Sequence, residues 1–249
     1  MKNKSFISIL IIFALIISSC EYDNYEAPSI KIKGHLTYNG QPFLYDGSTA
    51  RGVLSLVQSG FGKTDGGTTL RIDESGSFTQ LIFPGDYGLT LSNNPYPFEF
   101  KDFKSNGTGL GYDTIPMKIS SDVSRDFEVT PYYTFSDYTA TVVGDFIEVN
   151  FKVSKVAGTL IPAPKLVRAR CFVSTSSIVN SSTLCSKQKI GANADVNIKI
   201  QVPISTSYRT IYKSNFRDYA FCRVSVELDG IPNYYLFSET LKVEGLPVN

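Results

Sequence analysis

The chain has 249 residues and a net charge of +1, from 24 Lys+Arg against 23 Asp+Glu. That balance leaves no basic field to draw in a phosphate backbone, which excludes nucleic acid as a partner. One histidine and four cysteines provide no clustered set at zinc-ligand spacing, while 17 Phe and 15 Tyr suit a strand-rich protein.

Residues 1–19 read MKNKS, FISILIIFALII and SS. A basic start, an apolar stretch and small residues before a cut site make a signal peptide. The stretch is short for a permanent span, which needs ~20 apolar residues, and no later segment approaches that length. Ile17-Ser18-Ser19 directly before Cys20 resembles the bacterial lipobox. That likeness implies an acylated Cys20 as the mature N-terminus, held stably only by more than one acyl chain. The competing reading is a buried cysteine in an ordinary secreted protein. Residues 20–29 form a tether carrying Glu21, Asp23 and Glu26. This acidic start is similar to the export signal of Bacteroidota lipoproteins bound for the outer face of the outer membrane. A plain solvated linker is the alternative.

From residue 30 the period is close to two, punctuated by Gly, Asn, Asp and Pro. In IKIKGHLTY, Ile30, Ile32 and Leu36 share one face, and Lys31, Lys33 and His35 the other. The turn Asn39-Gly40 leads to RGVLSLVQ. A loop, FGKTDGG, precedes TTLRID, a turn at Glu74-Ser75-Gly76, and SFTQLIF. Pro84-Gly85-Asp86 turns into YGLTL, and RDFEVT closes the set. Short strands at this spacing predict a β-sandwich over residues 30–130.

Pro131 opens a second series, PYYTFSDYTATVV and FIEVNFKV, joined by Gly144-Asp145 as a two-residue hairpin. KLVRARCFVST, VNIKIQVP, DYAFCRVSVEL and YYLFSETLKV follow, predicting a second sandwich of immunoglobulin or fibronectin type over residues 131–249. The fold class is thus all-β, two tandem β-sandwiches after a lipoprotein signal peptide. Cys171 and Cys222 fall on apolar strand faces; buried thiols are favoured, and a cross-strand disulfide stays open. Cys185 lies in the polar stretch NSSTLCSKQK and reads as a free thiol in a loop.

The leader CEYDNYEAP before IKIKGHL, the segment DESGSFTQLIFPGDYGLTL, and DFEVTPYYTFSDYTATVVGDFIEVNFKVSK carry a family likeness. They resemble two-domain Bacteroidota lipoproteins of a domain-of-unknown-function family, encoded among glycan-utilisation genes. CFVST and YAFCRVSVEL fit that family's second half. The resemblance implies a transthyretin-like, carboxypeptidase-regulatory first domain and a role beside an outer-membrane carbohydrate importer. One departure is GHLTYNGQP, where the family has a longer turn after the first strand. Asp113-Thr114-Ile115 resembles the acceptor motif of Bacteroidota protein O-glycosylation, with a plain loop as the alternative.

Chemistry finds little support. A serine or cysteine nucleophile needs a base, and the lone histidine, His35, sits on a polar strand face beside the tether, where an exposed strand histidine is the ordinary reading. Asp122, Asp126 and Glu128 lack the spacing of a calcium loop. FGKTDGG lacks the phosphate-loop pattern. A carboxylate pair for glycoside hydrolysis stays open by inspection, since the fold sets its separation. The expectation is a non-enzyme with no cofactor and no metal.

Binding is the better prospect, because an aromatic ring can stack on the C–H face of a sugar. Tyr96, Phe98 and Phe100 alternate in NNPYPFEFKDF, and Tyr234 and Tyr235 flank a turn in IPNYYLF. Tyr96, Phe98, Tyr234 and Tyr235 are the candidate ligand contacts. The alternative is that these rings fill the core, as half-buried strands require. The resulting expectation is a surface-exposed outer-membrane lipoprotein of a polysaccharide-utilisation system, assisting glycan binding or importer assembly. Its rival is an adhesin or structural subunit that binds protein.

Overall fold

A computed structural model describes residues 26–46, 53–58, 66–91, 95–104, 113–183, 186–204, 217–231 and 236–247. Among them there is no helix; the fold is all-β. Ten strands come first: β1 (Ile30–Tyr38), β2 (Gln41–Pro42), β3 (Leu54–Gln58), β4 (Gly66–Leu70), β5 (Ser77–Ile82), β6 (Gly85–Leu91), β7 (Phe98–Phe100), β8 (Ile115–Ile119), β9 (Val123–Ser124) and β10 (Phe127–Pro131). One sheet runs β2-β1-β10-β7, with β5 and β9 also on β1; the other runs β4-β3-β6-β8.

The alternation in β1 is what builds this unit. Ile30, Ile32 and Leu36 are buried while Lys31, Lys33 and His35 are exposed. The inward set meets Phe127 and Val129 of its own sheet and Leu54, Leu56, Leu89 and Leu91 of the other in one core. Gly34 occupies the inward position between Ile32 and Leu36. A Cβ there would lie 1.7 Å from the Arg125 carbonyl oxygen, so the close approach of the β9–β10 link requires glycine. β1 then pairs in parallel with β10, Leu36 opposite Phe127, so nearly the whole first unit is spanned by one long-range contact. The predicted turn at Asn39-Gly40 has both residues at positive φ, 52° and 74°, as a type I′ hairpin demands.

Eight strands follow: β11 (Tyr133–Val143), β12 (Phe146–Lys155), β13 (Leu166–Ser174), β14 (Ser186–Gly191), β15 (Asn197–Pro203), β16 (Tyr219–Leu228), β17 (Leu236–Phe237) and β18 (Leu241–Glu244). They form a β11-β12-β15 sheet and a β14-β13-β16 sheet whose last strand carries both β17 and β18. No strand pairing among the described residues joins these sheets to those of the first unit. Ile147, Val149, Phe151 and Val153 of β12 face inward with Ile198, Ile200 and Val202 of β15.

Three local expectations need correction. The loop expected at NSSTLCSKQK ends earlier, because Ser186–Gly191 pairs with β13 as the edge strand β14. An edge strand exposes much of its surface, so its composition carries no apolar alternation. Cys185 itself lies outside the described residues. The strand expected at TTLRID begins earlier, where Gly66 and Gly67 pair with Gln58 and Val57. The expected final strand is two short ones, β17 and β18, each pairing with a different part of β16. Cys171 and Cys222 are both buried free thiols. Cys171 stands opposite Val224 and Cys222 opposite Val173, which makes them diagonal rather than facing neighbours.

The two units share one continuous core, and polar contacts fasten them together. The Glu99 carboxylate of β7 accepts hydrogen bonds from the Leu160 and Ile161 amides, each at 2.8 Å. The side-chain amide of Asn180 donates to Glu74 at 2.9 Å. Arg223 of β16 is 1% exposed although its position in the strand alternation is the outward one. Its Nε donates to the Ser238 carbonyl at 2.7 Å, and its Nη2 crosses to the Tyr45 carbonyl of the first unit at 2.8 Å. The guanidinium also lies 4.6 Å from the Phe237 ring centre. Burial lowers Arg223 to about 10, against the opposing pull of Glu74 and Asp46, and it stays charged at neutral pH.

Candidate functional site

A cleft of about 380 Å³ opens where the two units meet. Its walls are the β1–β2 hairpin on one side, and the first half of β11 with the segment after β17 on the other. The hairpin contributes Tyr38, Gln41 and Phe43; β11 contributes Phe135, Asp137 and Tyr138; and Glu239 follows β17. The volume falls within the range of small-molecule sites.

Each wall owes its shape to a local feature. The tight Asn39-Gly40 turn folds β2 back onto β1 and presents Tyr38 beside Gln41, its register partner. In β11 the pairing with β12 slips between Ser136 and Thr139, and Asp137 adopts a φ of 53°. This is a β-bulge, with an aspartate tolerating the left-handed conformation that other side chains avoid. The bulge re-aims the strand so that Phe135, Asp137 and Tyr138 all reach the cleft. The Ser136 hydroxyl steadies the Asp137 carboxylate at 3.2 Å.

Tyr38, Phe43, Phe135 and Tyr138 are half-buried, whereas Gln41, Asp137 and Glu239 are exposed. The Tyr138 hydroxyl turns away into the second unit and donates to the Cys222 carbonyl at 3.1 Å. Burial, with the Cys222 and Cys171 thiols beside it, pushes that phenol well above its ordinary value and keeps it neutral. The charged groups among the lining residues are Asp137 and Glu239, both carboxylates. The site thus combines partly exposed aromatic surface with two anionic acceptors. That is a set suited to covering the C–H face of a polyhydroxylated ring while binding its hydroxyls by charge-assisted hydrogen bonds.

Two of the ligand contacts expected from the sequence are placed otherwise. Tyr96 and Phe98 are 3% and 2% exposed, so their rings offer no face to a ligand. Phe98 stacks on Tyr96 at 5.7 Å and meets Phe43 edge-on at 5.2 Å. They belong to the core and support Phe43, the ring that does reach the cleft. The alternation at 96–100 has a packing cause: β7 pairs with β10 over the core. Tyr234, Tyr235 and Cys20 lie outside the described residues. His35 is exposed on β1, with Nδ1 3.2 Å from Asp126. Thr114 stays exposed ahead of β8. Among the described residues no three His, Cys, Asp or Glu side chains cluster as metal ligands would.

The sequence reading missed the cleft. Its signal was the aromatic and acidic run YYTFSDY at the junction, together with YNGQPF in the first hairpin. Neither run shows by itself that the two face each other.

Residues 30–130 match the family described as "Protein of unknown function (DUF3823) N-terminal domain". A search of curated proteins finds no match. Solved structures share the fold. A DUF3823 family protein from Parabacteroides merdae aligns with a TM-score of 0.67 at 21% identity, over 88% of this chain and 100% of that one. One from Bacteroides ovatus aligns with a TM-score of 0.63 at 21% identity, over 87% and 99%. A protein from Bacteroides uniformis, provisionally described as carbohydrate binding, aligns with a TM-score of 0.60 at 14% identity, over 88% and 100%. Residues 30–130 thus match the DUF3823 N-terminal domain model, and the chain shares the fold of DUF3823 proteins along most of its length.

Proposed function

We propose that this chain is a non-catalytic, glycan-binding lipoprotein of the outer membrane. It is anchored through an acylated Cys20, faces outward, and assists a polysaccharide-utilisation system or its carbohydrate importer. The observation that carries the binding role is the junction cleft, with Tyr38, Phe43 and Phe135 beside Asp137 and Glu239. The provisional carbohydrate-binding description of the Bacteroides uniformis protein of the same fold lends support. With only carboxylates as charged lining groups, neutral glycans fit and uronate-rich or sulfated ones are repelled.

Affinity electrophoresis of the wild-type chain against neutral and anionic polysaccharides tests this reading. Retardation by at least one neutral glycan is expected, and its loss in the Asp137→Asn/Glu239→Gln double variant. Each charge-assisted hydrogen bond carries about 1.5–3 kcal/mol, so affinity should fall at least tenfold. No retardation by any glycan, or equal retardation of the double variant, rejects the cleft as a glycan site. One feature favours a second reading, a subunit that grips a protein partner. Leu160 and Ile161 are 92% and 57% exposed, on a loop tip held out by the Glu99 carboxylate. Cross-linking to a transporter component that is lost in Leu160→Asp would favour it.

A further inference from the structure

We infer that the end of the first domain carrying Leu81 and Phe83 rests on the lipid bilayer and holds the junction cleft away from it. This rests on acylation of Cys20. Leu81 and Phe83 are 49% and 46% exposed, and their spacing of two places them on one side of the β5 line. Lys31 stands opposite Leu81 in the register, and it is exposed on the same outward row as Lys33. Beside them a second cavity of about 380 Å³ is lined by Pro28, Leu56, Ile82 and Tyr87 as well as Leu81 and Phe83. The Tyr87 hydroxyl donates to the Phe83 carbonyl at 2.8 Å, so Tyr87 turns its apolar body to a cavity whose polar lining side chains besides it are Gln58 and Thr68. Apolar side chains with lysines alongside fit the boundary between acyl chains and headgroups.

The occupant follows from where the chain leaves this surface. Pro28 lines the cavity, and eight residue steps separate it from Cys20. Whatever path those residues take, they span at most ~28 Å. An acylated Cys20 therefore keeps this patch within that distance of the membrane, closer than any other part of the fold need be. β1 starts at this end with Ile30 and finishes at the cleft with Tyr38. At ~3.3 Å per residue the strand separates the two by ~27 Å. One orientation therefore satisfies both ends: patch against lipid, cleft towards the medium.

The chain has no tryptophan, so Phe83→Trp introduces a single emitter at the patch and Tyr38→Trp a single emitter at the cleft. Full-length protein made in a lipidating host is reconstituted into phosphatidylethanolamine–phosphatidylglycerol vesicles, with and without brominated acyl chains. Intact mass reports acylation, and flotation reports anchoring. The expected result is at least twofold quenching of Phe83→Trp by bromolipid, with Tyr38→Trp unchanged; Leu81→Trp serves as a second reporter at the patch. Protein that floats while Phe83→Trp and Leu81→Trp emission is insensitive to bromine overturns the orientation and leaves the anchor standing. A blue-shifted but unquenched signal that grows with protein concentration assigns the patch to a second copy, and also overturns it. An unmodified Cys20 with no flotation removes the anchor itself, and the orientation falls with it.

Discussion

Arg223 is the strongest test of how the two sheet units are joined. Replacing it with alanine leaves the Ser238 and Tyr45 carbonyls, accepting at 2.7 and 2.8 Å, without their charged donor inside a closed interface. Removing the charged donor from each buried carbonyl costs ~1–3 kcal/mol. Losing the guanidinium over Phe237, at 4.6 Å, adds up to ~2 kcal/mol. The sum spans ~2–8 kcal/mol, and a value near ~4 kcal/mol agrees with the ~3–5 kcal/mol typical of breaking a buried charged network from one side. For a chain of this size that corresponds to ~8–16 °C in Tm. Arg223→Lys should fall between wild type and Arg223→Ala, because one ammonium cannot reproduce a planar fork reaching two carbonyls. Urea unfolding followed by tyrosine fluorescence and by circular dichroism measures the loss. A cost below ~1 kcal/mol for Arg223→Ala, or a lysine variant as stable as wild type, would refute the claim that Arg223 locks the two units together.

Other consequences are equally direct. Gly34→Ala drives a Cβ to 1.7 Å from the Arg125 carbonyl oxygen, and overpacking of that severity should cost at least ~3 kcal/mol, read as a drop in Tm. Burial holds the Glu74 carboxyl above its ordinary 4.5 despite the opposing Arg223 charge. Its stabilising contribution is therefore full below about 4.5 and is lost as pH rises through the raised folded value. The stability difference between wild type and Glu74→Gln, from urea midpoints over about pH 4 to 7, should shift against wild type as pH rises; a flat difference refutes it. Tyr138→Phe deletes the 3.1 Å bond to the Cys222 carbonyl while keeping the ring at the cleft. It should cost ~1 kcal/mol of stability and leave glycan retardation intact. The hydrogen bond between the Cys171 and Cys222 thiols, followed by burial, pushes the Cys171 thiol well up. Peptide mapping after alkylation should find Cys171 and Cys222 unmodified in the native protein, and both modified in urea without reductant; failure to react in urea would show a bridge instead.

Strand alternation alone was enough to make the chain all-β and to orient most of its strands. Ile30, Ile32 and Leu36, or Ile198, Ile200 and Val202, bury as a period of two predicts because each faces its own sheet's core. The Asn39-Gly40 turn was equally legible, since few residue pairs accept positive φ twice in succession. What alternation cannot report is a second covered face. Arg223 sits on the outward row of β16, yet it is buried because the Phe237–Ser238 segment of its own unit and the Tyr45 backbone, 178 positions away in sequence, both lie against it. Tyr96 and Phe98 failed as ligand contacts for the same reason: an alternating aromatic run looks identical whether its rings meet water or a neighbouring sheet. Edge strands such as β14 escaped notice because a strand half open to solvent has no apolar period to detect. The cleft was the least legible feature. Tyr38 and Asp137 are ordinary residues of separate strands until the packing of the two units brings them together. Local pattern determines which way a side chain leaves its own strand; only the tertiary fold decides what it then meets.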